Sequence, residues 1–128
     1  MIKWDDEWPL IKACCTAYGV NAYFVAAIRV AENGNPGREF GVLSTPAPTY
    51  ADQLRITCET VAHRLTLFAG NAHARIGKVS VQSRAFVDWF AQIWAPGGAS
   101  NDPTDLNANW ASNVLMLQNR FAANGHPG

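Results

Sequence analysis

Apolar residues recur at helical spacing in five stretches of this chain, and two runs of turn-forming residues interrupt them. The clearest stretch spans about Ser80 to Trp94. There Phe86, Trp89, Phe90, Ile93 and Trp94 fall at i, i+3, i+4, i+7 and i+8, one wide face of a helix. A half-buried strand would instead place every second residue on one face. The pattern therefore predicts an all-α domain of about five helices packed on one another.

The other helices follow the same logic. Asp5 or Asp6 can cap a first helix with Pro9 in its opening turn, running to Gly19 with Ile11, Cys15 and Tyr18 as its stripe. Asn21 caps a second, carrying Phe24, Val25, Ile28 and Ala31, and Gly34 is placed to end it. A third, from about Ala51 to Phe68, shows Leu54, Cys58, Val61, Leu65 and Phe68 on one face. The fifth, about Ala108 to Ala123, aligns Trp110, Val114, Leu117 and Phe121 before Asn124-Gly125 closes it.

Asn35 to Thr49 refuses the helical period: three prolines and two glycines surround a short apolar piece, Phe40 to Leu43, which fits a small hairpin or an irregular loop. Ala95 to Asn107 is the second such run, rich in Pro, Gly, Asn and Asp. Loops of this length in a small domain are usually functional.

Length and composition set the remaining bounds. At 128 residues, with 48% hydrophobic and 16% charged residues, residues 1–128 read as a single globular domain. Ten basic residues balance ten acidic ones, so the field that a nucleic-acid partner requires is missing. No run reaches the roughly 18 to 20 apolar residues of a membrane span, so no membrane insertion is expected. The acidic start, Met1 to Trp8, is unlike a secretory signal, which points to synthesis in a cytoplasm. Cys14, Cys15 and Cys58 read as small buried apolar groups, with a Cys58 bridge to Cys14 or Cys15 as the alternative. His63, His73 and His126 show no metal-ligand spacing, so neither a zinc site nor another cofactor is expected.

Glu32 is the first candidate for chemistry. It stands in the last turn of the second helix, four residues after Ile28 and seven after Val25, on an apolar face. Partial burial and the negative helix end both favour the protonated carboxyl, which is the form a general acid needs. The bland alternative is a side chain that frays into water at a helix end.

The run Ala31-Glu32-Asn33-Gly34-Asn35-Pro36-Gly37-Arg38-Glu39-Phe40-Gly41-Val42-Leu43-Ser44 resembles the active-site segment of the lysozyme superfamily, above all goose-type lysozymes and soluble lytic transglycosylases. In those proteins a helix ends in the catalytic Glu and a loop leads to a Gly-Leu-Met-Gln stretch lining the sugar cleft. Glu32 matches the first, and Gly41-Val42-Leu43-Ser44 is similar to the second, with Ser44 in place of Gln. The Ala-Tyr-Asn-Ala-Gly segment common in the transglycosylases is missing. Trp94 to Pro103 and Leu106 to Trp110 are similar to phage and prophage proteins of lysozyme-like type.

The resemblance implies a lysozyme-like helical domain that cleaves the bond between N-acetylmuramic acid and N-acetylglucosamine in bacterial peptidoglycan. Glu32 would be the proton donor. Glu39 is the first choice for an assisting carboxylate, ahead of Asp52, Asp102 or Asp105; its alternative is an ion pair with Arg38 or Arg29. The substrate's own N-acetyl group or 6-hydroxyl could equally complete the reaction. Ser44, Tyr50 and Asn101 are candidate sugar contacts, while Trp89, Trp94 and Trp110 are expected in the core, the last two with an edge toward the cleft. The setting implied is a phage endolysin, made in the host cytoplasm and released to the wall, or a virion component beside other tail proteins. The reading from a different class is a virion or assembly protein that kept the fold and lost the activity.

Overall fold

The computed structural model describes residues 2–43, 46–72 (69–72 as backbone alone), 84–94 and 109–128. Five helices occupy them: α1 (Trp4–Tyr18), α2 (Ala22–Glu32), α3 (Tyr50–Ala72), α4 (Arg84–Trp94) and α5 (Trp110–Asn124), with no strand among the described residues. The class is mainly α.

The ends of the helices follow from their capping residues. Asn21 Oδ1 accepts the Tyr23 and Phe24 N–H groups at 2.8 and 3.2 Å, which starts α2. Gly19 and Gly125 stop α1 and α5 in the left-handed conformation at φ 68° and 72°. In both, the next residue closes the turn, Val20 N–H to Cys15 O and His126 N–H to Phe121 O. Two ends differ from expectation. α1 begins at Trp4 rather than after an aspartate cap, because Glu7 reaches back to the Lys3 N–H and satisfies that end. Pro9 consequently falls in the second turn.

α2 ends on Asn33, not Gly34: Asn33 takes φ 43° and its N–H bonds Arg29 O. Gly34 is needed for another reason, since a Cβ there would overlap the Arg38 carbonyl.

α2 is the central helix. Residues from Phe24 to Arg29 are all buried, so it is covered on every side, most extensively by α5. Around it, Ile11 and Cys15 of α1, Leu54, Cys58 and Val61 of α3, and Val114, Leu117 and Phe121 of α5 form the core as their spacing predicts. α4 contributes Phe86, Val87, Phe90 and Ala91. Ile93, expected on that buried stripe, is 40% exposed and lines an open groove instead. The three cysteines are free, with Cys15 Sγ 3.6 Å from Cys58 Sγ; burial pushes the Cys14 thiol up to about 12, so it is inert as a nucleophile.

One buried ion pair fastens α1 to α2. Arg29, 5% exposed, donates to Glu7 through Nε at 2.7 Å and Nη2 at 3.3 Å, and Tyr50 Oη donates to the same carboxylate at 2.9 Å. Burial pushes the Glu7 carboxyl upward, but these donors and the Lys3 N–H outweigh it and hold the group below its ordinary 4.5. Its contribution is therefore full above pH 4.5 and is lost as acid titrates the carboxylate. Glu7→Ala leaves Arg29 uncompensated and is expected to cost about 3–5 kcal/mol in a denaturant melt at neutral pH. A cost below about 1 kcal/mol would mean that the pair behaves as a surface pair.

Candidate functional site

Glu32 is the last residue of α2, and its carboxyl is drawn inward by two indoles from distant parts of the chain. Trp110 Nε1 donates to Oε2 at 2.9 Å across 78 positions of sequence. Trp94, at the end of α4, supplies a second indole that favours the carboxylate in the same way. Phe90 positions both rings: it is buried and stacks on Trp94 at 5.4 Å and 22°, and on Trp110 at 6.0 Å and 23°. The core thus builds the seat of the acid.

On its other side the carboxyl lies against the backbone of Gly41. A Cβ at that position would overlap Oε1 and come within 2.8 Å of Cδ, and Gly41 sits at φ 76°, where side chains are strained. Glycine is required here for both reasons. Burial raises the Glu32 pKa above its ordinary 4.5, and the hydrogen bonds from Trp110 and Trp94 offset only part of that rise. The side chain does not fray into water.

The loop carrying Gly41 is held by one side chain that sequence reasoning missed. Gln53, fully buried in the first turn of α3, directs its Nε2 hydrogens at the carbonyls of Gly37, Ala47 and Val42, at 2.9, 2.9 and 3.0 Å. Its Oε1 accepts the Phe40 and Val42 N–H groups, each at 3.2 Å. Turns closed by Arg38 N–H to Asn35 O and Gly41 N–H to Arg38 O complete an irregular loop. The hairpin alternative is not formed among its described residues.

Beyond Gly41, against which Glu32 rests, opens a groove of about 300 Å³ that Glu32 itself does not line. One wall is loop residues 41–43, another is the α3 stripe Ile56, Thr60 and Arg64, and the end of α4 supplies Ile93 and Trp94. Leu43, 57% exposed, and Ile93 give the rim apolar surface, and Trp94 brings the edge that the sequence expectation gave it. Arg64 has a buried Nε with no acceptor, a state that costs about 1–3 kcal/mol in a folded protein.

The remaining sequence candidates are distributed elsewhere. Glu39 is buried, its Oε1 accepts the Gly37 N–H at 3.1 Å, and it lines a different pocket with Glu7, Arg29 and Tyr50. Arg29 reaches the Glu39 carbonyl rather than its carboxylate. Tyr50, half-buried, spends its hydroxyl on Glu7 and packs edge-on against Phe40. Asp52 pairs with Arg55 on the surface of α3. Ser44, Asn101, Asp102 and Asp105 lie outside the described residues. Among the described residues no three His, Cys, Asp or Glu side chains converge as metal ligands, and no helix is long and apolar enough to cross a membrane.

Comparison with known proteins finds no family, no curated protein and no solved structure that matches this chain.

Gly41→Ala should displace the Glu32 carboxyl and lower stability by about 1–2 kcal/mol from the left-handed backbone alone. A variant as stable as the wild type would show that the loop has room to retreat. Glu32→Gln tests the electrostatics. A carboxyl whose pKa is raised by folding stabilises fully below 4.5 and loses that contribution as pH rises through its folded pKa. The variant should therefore melt above the wild type at neutral pH, with the difference vanishing well below 4.5. A Tm difference constant with pH would exclude a strained carboxylate.

Proposed function

We propose that this chain cleaves the glycosidic bond between N-acetylmuramic acid and N-acetylglucosamine in bacterial peptidoglycan, with Glu32 as general acid. The observation that carries the proposal is a part-buried carboxyl at a helix end, held by two indoles and packed on Gly41 at the wall of an open groove, where burial favours its proton. Oε2 accepts the Trp110 N–H and Oε1 faces Gly41. Transfer of the carboxyl proton to the glycosidic oxygen leaves a carboxylate, which the two indole N–H groups are placed to stabilise. The resemblance of the segment from Ala31 to Ser44 to the active-site segment of lysozyme-like proteins supports the same reading.

No carboxylate is among the described lining residues of the groove, and Glu32 borders it only through Gly41 and Trp94. Inverting and retaining glycosidases that use two carboxylates hold them within roughly 5–9.5 Å of each other. Glu39 lines the other pocket and is engaged by the Gly37 N–H, so it is poorly placed to meet the developing charge. The better fit is a single protein acid, with the substrate's N-acetyl group or 6-hydroxyl attacking the anomeric carbon. The chain would act as a phage endolysin or a virion-associated lysin.

The test is digestion of purified peptidoglycan with products read by mass spectrometry. The wild type should release fragments and Glu32→Gln should lose at least about a hundredfold in rate. Glu39→Gln should change the rate little. Reducing ends mean hydrolysis; fragments lighter by one water mean an anhydro sugar and transglycosylation. Full activity in Glu32→Gln refutes the assignment, and no products from the wild type on any wall type leave the non-catalytic virion protein as the reading.

A further inference from the structure

We propose that Arg64 makes the groove beside Glu32 selective for a glycan bearing a carboxylate, which its guanidinium binds directly. The inference rests on the glycan-cleaving reading of Glu32 and adds the chemistry of the substituent that the neighbouring subsite takes.

Three observations lead to it. Arg64 stands at i+4 from Thr60 and i+8 from Ile56, so the three form one stripe of α3 along the groove wall. Its guanidinium, like those of Arg38 and Arg120, has no carboxylate within ion-pair distance among the described residues, whereas Arg29, Arg55 and Arg84 each have one. Its Nε is shut off from water and has no acceptor in the protein, so the guanidinium is not committed to an internal partner there, and the part of it that lines the groove is left for a ligand.

The surroundings define that ligand. Among the described residues every other lining residue of the groove is uncharged, so Arg64 is the one fixed charge they supply. Glu32, which borders this wall through Gly41 and Trp94, is committed to the Trp110 indole and forms no pair with Arg64. A planar fork of N–H donors matches a carboxylate in two-point geometry. Apolar rim residues and the Trp94 edge suit the ring faces of a sugar. The ligand that combines them is an acidic sugar unit: in peptidoglycan, one carrying a free lactyl carboxylate or the carboxylates of a peptide stem.

Binding is measured by calorimetry on Glu32→Gln, which removes turnover, and on the same protein with Arg64→Gln or Arg64→Lys added. Three probes are used: a tetrasaccharide of alternating N-acetylglucosamine and N-acetylmuramic acid with free lactyl carboxylates, the same glycan with those carboxyls converted to methylamides, and the same glycan carrying peptide stems. With Arg64 present, a carboxylate-bearing glycan should bind at least tenfold tighter than the methylamide. Arg64→Gln should erase that ratio without changing methylamide binding, and Arg64→Lys should keep part of it.

Preference for the free lactyl glycan assigns the lactyl group, and preference for the stem-bearing glycan alone assigns the peptide. Equal affinity for acid and methylamide with Arg64 intact overturns the inference, as does a preference that survives Arg64→Gln or the absence of binding by every probe. The Glu32 reading fails separately, through wall digestion unimpaired in Glu32→Gln, so the two failures are distinguishable.

Discussion

The arrangement around Glu32 depends on a buried primary amide. Gln53 satisfies five backbone groups of the loop between α2 and α3 from a single side chain on α3. Those groups would otherwise be buried without partners or would need water, and either outcome would let the loop move. Gly41 is inside the segment so fixed, and the carboxyl of Glu32 rests against it. One polar side chain thereby sets the wall of the groove, the position of the acid and the path of the chain into α3. Thr57 extends the same support by bonding the Gln53 carbonyl at 2.8 Å.

Two carboxylates near α2 show how environment divides roles. Glu7 and Glu32 are both partly withdrawn from water. Glu7 meets a guanidinium, a phenol and a backbone N–H, and is held as an anion that ties three helices together. Glu32 meets indole N–H groups without a full charge to face it, and burial prevails. Opposite shifts make Glu7 a fixed anion and leave Glu32 inclined to keep its proton. Tyr50 follows from this division, since its hydroxyl belongs to the Glu7 network and not to the groove.

Local rules made the helices legible, and non-local contacts hid the rest. Asn21, Gly19 and Gly125 act as their residue types predict, and the stripes of α1, α3 and α5 pack into the core where the period puts them, except Tyr18, which is exposed and donates its hydroxyl to Glu59. The position of Glu32 was legible as well, because a carboxyl on an apolar face at a helix end is anomalous in sequence. Gln53 was not, since nothing in a polar helix start distinguishes a glutamine that will meet five backbone groups. Burial alone would not have singled it out either: Gln118 on α5 is equally buried and neither of its amide atoms is hydrogen-bonded. Arg64 and Ile93 sit at ordinary helical positions and acquire meaning only when α3, α4 and the loop meet.

The seat of the acid and the core are one structure, so stability and chemistry are coupled. The rings that stack on Phe90 are those whose indole edges reach Glu32. Phe90 also packs on Phe24 of α2 at 5.6 Å, within the helix that Glu32 terminates. A displacement of Phe90 therefore reaches the carboxyl by two routes, through the indoles and through α2 itself. Close packing leaves little slack to absorb such a shift. The hydrogen bond from Trp110 accordingly needs no mobile loop to position it, because a donor mounted on a packed ring is fixed before any ligand arrives.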